Sequence, residues 1–145
     1  MEITKFIPHR NHMVLIDKIV HNFEDDFTVT VKIHKGSLLA CDYGVPSYCG
    51  IEYMAQTIAA YSSIYLYKGL KARIGFIISL RNFESKVPYF KFGDTLKINI
   101  TPVLVTNNSG LFDCTISENN KIVVSAKIMA FVPNESDMEK LQREN

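Results

Sequence analysis

Gly50-Ile51-Glu52-Tyr53-Met54-Ala55-Gln56-Thr57-Ile58-Ala59-Ala60 opens the one long helical stretch of this sequence. The stretch continues to Tyr67, and Gly69 stands just past its end as a natural stop. It is rich in Ala, Met, Ile and Tyr and apolar around most of its circumference, which predicts a buried helix rather than one lying on a surface. A helix of that kind must be covered by a sheet.

The flanking segments supply the strands. Pro8 blocks a helix at the start, and the apolar run Met13 to Val20 reads as a first strand. Asn22 to Asp26 is a polar turn, and Phe27, Val29, Val31 and Ile33 alternate with Thr28, Thr30 and Lys32 as a half-buried second strand. His34 to Tyr48 is irregular, with Gly36, Gly44 and Pro46; loops of that length inside a domain are often functional. Four strands are expected after the helix: Ile74 to Asn82, Leu96 to Ile100, Phe112 to Ile116, and Ile122 to Val132. Turns at Phe92-Gly93-Asp94, Asn107 to Gly110 and Asn119-Asn120 separate the later strands, and such short turns demand antiparallel pairing. The expected fold is α+β: one domain over residues 1–133, an antiparallel sheet curled around a central helix in the hot-dog arrangement, then a polar tail over 134–145.

Composition narrows the function. The 145 residues are 47% hydrophobic, too apolar for a disordered chain. Sixteen basic residues against 15 acidic ones leave a net charge of +1, which argues against nucleic-acid binding by bulk charge. No apolar run of about 18 residues exists to span a membrane, and the start of the chain lacks the pattern of a signal peptide. Three cysteines without a CxxC suggest free thiols and a cytoplasmic location. The histidines and cysteines have no metal-ligand spacing and there is no glycine-rich phosphate loop, so neither metal nor nucleotide cofactor is expected.

The helix carries the chemistry. Glu52 and Gln56 are four apart and share a face, with Ala59, Ala60 and Ser63 continuing the stripe. Burial raises the pKa of a carboxyl group and a helix N-terminus lowers it, so a group balanced between them can act as an acid or base near neutral pH. A plain capping role for Glu52 is the alternative.

Glu52-Tyr53-Met54-Ala55-Gln56 resembles the Glu-x-Met-Ala-Gln helix of beta-hydroxyacyl-ACP dehydratases. Pro8-His9-Arg10 followed by Met13-Val14-Leu15-Ile16-Asp17 resembles their N-terminal motif, and Arg81, Phe83 and Gly93-Asp94 resemble a later one. The match in order runs over residues 6–132, and the helix run is similar to the dehydratase-like proteins of aryl-polyene gene clusters. The resemblance implies dehydration of a (3R)-hydroxyacyl thioester on acyl carrier protein to the trans-2-enoyl thioester. A His would take the alpha proton and Glu52, from the opposite subunit of a dimer, would help the hydroxyl leave, with Gln56 orienting the site. It also places a carbonyl-holding N–H near Gly75 and Phe76, Gly50 at the helix start being the other natural donor. The strand from Ile74 to Leu80 would line an acyl channel with the helix.

One departure matters. The family's His position falls on Leu38, which cannot accept a proton. His34, His9, Asp42 and Tyr43 are candidate replacements; Cys41 and Cys49 read as small buried residues, and Tyr53, Tyr61 and Tyr65 as core or dimer contacts. Lys68, Lys71 and Arg73 form a small basic group that reads first as a solvated loop and otherwise as a docking patch for an acidic carrier protein. The chain could work as a homodimer, or as a heterodimer whose paralogous partner supplies the His. Two rival readings stand beside the dehydratase: a hot-dog thioesterase using the helix carboxylate, and a non-catalytic subunit that shapes a dehydratase partner.

Overall fold

Period-two alternation builds one apolar sheet face in the computed structural model, which describes residues 14–66, 77–106 and 108–131. The strands that carry it are β1 (Lys18–Phe23), β2 (Asp26–Lys32), β4 (Ile77–Ser85), β6 (Thr95–Val105), β7 (Ser109–Glu118) and β8 (Lys121–Phe131). They form a six-stranded sheet in the order β1-β2-β6-β7-β8-β4, every neighbouring pair antiparallel. Register aligns the inward residues across the strands. Phe27 faces Ile100, which faces Cys114, which faces Ala126; Val29, Ile98, Ile116 and Val124 make the next row. All eight of these side chains are buried.

The helix α1 (Gly50–Tyr65) lies across this face and packs on β2, β6 and β7. Eleven of its 16 residues are buried. Tyr61 seals its C-terminal half, meeting Phe27 and Phe112 edge to face at ring separations of 5.7 and 5.6 Å. Such pairs add about 0.5–1.5 kcal/mol to the area they bury. This is the hot-dog arrangement, and the expected turns at Gly93 and at Asn119-Asn120 are present, while Asn107 lies outside the described residues and Ser109 and Gly110 already belong to β7. Asn119 and Asn120 both adopt positive φ, as a two-residue hairpin requires, and Gly93 does so with φ 94°.

The differences from expectation lie at element ends and in the long loop. The first strand begins at Lys18, and the described residues before it, from Val14, are not strand: Leu15 N–H turns to the Gln56 side chain, while Asp17 N–H still bonds the Thr30 carbonyl of β2. It also runs through Asn22 to Phe23, leaving only Glu24 and Asp25 between it and β2. The helix ends at Tyr65. The loop before it contains the short strand β3 (Val45–Pro46), paired with β5 (Tyr89–Phe90), and a 3₁₀ turn over Ser47–Cys49 that leads straight into α1. Gly44 makes that crossing possible. Its φ is 137°, and a Cβ there would stand 2.1 Å from the Phe90 carbonyl oxygen. Pro8-His9-Arg10, His12, Lys68, Lys71, Arg73, Gly75, Phe76 and the boundary at 133 lie outside the described residues.

Candidate active site

The 3₁₀ turn and α1 place Glu52 in the first helical turn, half-buried, with Gln56 one turn on and fully enclosed. The stripe they share therefore passes from half-open to closed. The Gln56 side-chain oxygen accepts the Leu15 N–H at 2.9 Å, so this residue braces the segment entering β1. Thr57 donates its hydroxyl to the Tyr53 carbonyl at 2.7 Å.

Gly50 is buried where α1 meets the sheet. A Cβ there would come within 2.6 Å of Ile116 Cδ1 and 3.4 Å of the Phe90 ring. The Gly50 N–H donates to the carbonyls of Ser47 and Tyr48, closing the 3₁₀ turn. In this arrangement its part is close packing, and its N–H is engaged inside the chain.

Leu38 is 46% exposed. It lines a cleft of about 230 Å³ together with the apolar Leu15 and Val31 and the polar Asp17, His34 and Tyr53. Of the candidate replacements for a base among the described residues, His34 alone joins Leu38 there. Its Nδ1 accepts the Gly36 N–H at 3.1 Å, and its own N–H donates to the Ser37 hydroxyl at 3.0 Å. A neutral ring with Nδ1 so occupied carries its proton on Nε2, so it is a donor toward the cleft rather than an acceptor. Asp42 and Tyr43 are exposed, and Tyr43 packs against the Tyr89 ring at 5.6 Å.

The cysteines divide. Cys41 is exposed, contrary to expectation, because its residue sits in the isolated bridge to Gly44 at the loop surface. Cys49 and Cys114 are buried. Burial, reinforced by Cys41, raises the Cys49 thiol, and burial with Asp113 pushes Cys114 up to about 12. Neither is an activated nucleophile. Tyr61 is raised to about 12 by burial, then Glu24, Tyr65 and Asp25, and it donates its hydroxyl to the Glu24 carbonyl at 2.5 Å. Tyr65, half-buried against the core, likewise bonds the Asn22 side chain, so both tyrosines pin the end of β1 and its turn into β2.

A sequence model described as ApeP-like, ApeP dehydratase, matches residues 1–143. The chain belongs to the ApeP-like dehydratase family. Among solved structures it is similar to the dehydratase heterocomplex ApeI:P from Xenorhabdus doucetiae, with a TM-score of 0.88, 22% identity and 97% of each chain covered. It is also similar to the E. coli PaaI protein of a phenylacetic acid degradation operon, with a TM-score of 0.61 and 16% identity, covering 80% of this chain and 82% of that one. A hypothetical thioesterase with coenzyme A from Streptococcus pneumoniae TIGR4 has a TM-score of 0.56 and 18% identity, over 81% and 85% of the two chains. These likenesses show a shared fold.

One residue lining the cleft, and one buried carboxyl elsewhere on the sheet, were not singled out for chemistry in the sequence. Tyr53, read as a core contact, lines the Leu38 cleft. Glu118 continues the inward alternation of Phe112, Cys114 and Ile116 and is 8% exposed; its Oε2 accepts the Lys91 N–H at 3.2 Å. Burial comes first in raising its carboxyl and Asp94 adds to it, while the Lys91 N–H pulls the other way. Among the described residues no three His, Cys, Asp or Glu side chains gather to hold a metal, and no helix is long and apolar enough to cross a membrane.

Proposed function

We propose that this chain handles (3R)-hydroxyacyl chains carried on acyl carrier protein, in the cytoplasm, as the carboxylate-bearing half of a dehydratase. Glu52 is the acid, and Gln56 is the companion that keeps the helix and the segment around Leu15 in place. The observation that carries this reading is the pairing of a half-open Glu52 on an otherwise enclosed helix with Leu38 where the family's base would stand. Leu38 cannot take a proton, so the base in this reading comes from a second subunit.

The reaction then divides between two chains. A His from a paralogous partner takes the alpha proton of the thioester. Glu52 protonates the departing beta hydroxyl; the Cα–H and Cβ–O bonds break, the Cα=Cβ bond forms, and water leaves. The carboxyl is regenerated by the proton taken up at the His. The ApeI:P structure is described as a heterocomplex, which supports a two-chain assembly here. Three free cysteines support a reducing compartment.

The test is product analysis on a 3-hydroxyacyl thioester of acyl carrier protein with both subunits present. The expected product is the enoyl thioester, and Glu52→Gln lowers its rate by about 10²–10⁴-fold. Free acid and carrier thiol as products would replace this reading with the thioesterase one. Unchanged turnover in Glu52→Gln would leave the chain a non-catalytic subunit.

A further inference from the structure

Asp94 and Glu118 meet at one end of the inner face of the sheet. Leu96 stands opposite Glu118 in the β6–β7 register, and both are buried. Asp94 lies two residues before Leu96, so the alternation carries it to the same face, diagonal to Glu118. Diagonal neighbours across an antiparallel pair are about 7–8 Å apart, which two carboxyl side chains can bridge. Lys91 ties the two residues together through its main chain. Its N–H donates to Glu118 Oε2 at 3.2 Å, and its carbonyl accepts the Asp94 N–H at 3.2 Å.

That corner lacks a donor. Asp94 Oδ2 is buried and accepts no hydrogen bond from an N–H or hydroxyl of the described residues. Neither carboxyl forms an ion pair with a described residue. Of the charged groups on the surrounding elements, Asp94 and Lys91 act on the Glu118 charge in opposite senses; Lys32 at the end of β2, Lys97 on β6, Lys121 on β8 and Glu52 on α1 add nothing. The Lys32 ammonium is held by the Gly93 carbonyl at 2.7 Å. A buried acceptor without a donor costs free energy, and two ionised carboxylates side by side would add like-charge repulsion. A protonated Glu118 carboxyl supplies the donor and removes the repulsion. Burial and the neighbouring Asp94 both favour that proton.

The same corner carries the start of the long loop. Ile33 N–H donates to the Asp94 carbonyl at 2.9 Å, and Gly93 N–H to the Ile33 carbonyl at 2.8 Å. His34 follows at once, and with Gly36, Ser37 and Leu38 it lines the cleft. We propose that Asp94 and Glu118 share one proton, and that this carboxyl–carboxylate hydrogen bond fastens the 91–94 turn, and through Ile33 the start of the loop, to the end of β7. Losing the proton places two like charges in the corner and releases the turn. The pair is a pH-sensitive latch on the segment that leads to the cleft, and it stands whichever reading of the reaction holds.

The experiment is a carboxyl-carbon NMR titration of the full chain, with amide exchange at Ile33 and Gly93 followed over the same pH range. The pair is expected to lose its last proton above the ordinary carboxylate range, with both carboxyl resonances moving in that step. Above that step, opening at the two amides increases beyond ordinary base catalysis of exchange. The increase is up to about tenfold for each pH unit by which the step exceeds the free carboxyl value. Asp94→Asn keeps an acceptor and removes a charge, so Glu118 then titrates at lower pH and the pH-dependent opening disappears. An Asp94 resonance that stays flat through the Glu118 step overturns the shared proton. Joint titration with Ile33 and Gly93 exchange indifferent to the step overturns the latch. Both readouts use the parent chain, so they decide the matter even if Asp94→Asn fails to fold.

Discussion

The side-chain oxygen of Gln56 accepts the Leu15 main-chain N–H at 2.9 Å, tying the enclosed middle of α1 to the segment that enters β1. One residue of the helix motif thus holds the structure together. Gln56→Leu keeps the bulk but leaves the Leu15 N–H without its acceptor, a loss of about 1–3 kcal/mol. Chemical denaturation of the isolated chain measures it, and an unchanged midpoint would mean that the bond contributes nothing.

Gly44 sets where the long loop crosses β5. Gly44→Ala combines a φ of 137° with a Cβ 2.1 Å from a main-chain oxygen, so the loop or the β3–β5 pair must move. The expected cost is about 2 kcal/mol or more, read as a lowered Tm. Stability equal to that of the parent would show that the loop rearranges freely.

Glu118 gives a pH signature of known sign. Its carboxyl is raised in the folded chain, mainly by burial. The folded state therefore holds this proton to higher pH than the unfolded chain does. The associated stability is fully present below the unfolded value and is lost as pH rises through the folded one. Glu118→Gln stays neutral and keeps an acceptor for Lys91. Its Tm relative to the parent increases as pH climbs from about 4 to about 8. A difference that stays flat across that range would contradict the assignment.

The thiols should separate cleanly. With iodoacetamide at mildly alkaline pH, Cys41 labels in the folded chain while Cys49 and Cys114 label only after unfolding. Mass spectrometry of partly labelled protein checks this, and early labelling of Cys114 would contradict its burial.

Much of the fold was legible because its signals are periodic. The alternations Phe27-Val29-Val31 and Leu96-Ile98-Ile100 become the aligned rows under α1, and the apolar circumference of α1 requires the cover that the sheet supplies. What was not legible depends on contacts distant in sequence. β3 and β5 are two residues each, too short for a period, and exist because Gly44 lets Val45 reach Phe90. The segment before β1 leaves the strand pattern where the Leu15 N–H bonds Gln56, 41 positions away. Glu118 could have been read by extending the alternation of β7 one step further. Tyr53 could not, since nothing in an apolar helix marks which tyrosine opens onto a cleft. Glu52 and Gln56 were visible as a spaced pair, but the half-open position of Glu52 follows from how α1 seats on the sheet.

The central claim is that Glu52 works with a base from another chain. It is tested by measuring dehydration of a 3-hydroxyacyl-carrier thioester while a His-bearing paralogue with its own helix carboxylate removed is titrated into a fixed amount of this chain. Neither protein alone is expected to turn over. The rate should rise to a plateau at one partner per chain and collapse when Glu52 is replaced by Gln. Full activity of this chain alone, surviving Glu52→Ala, would contradict the account.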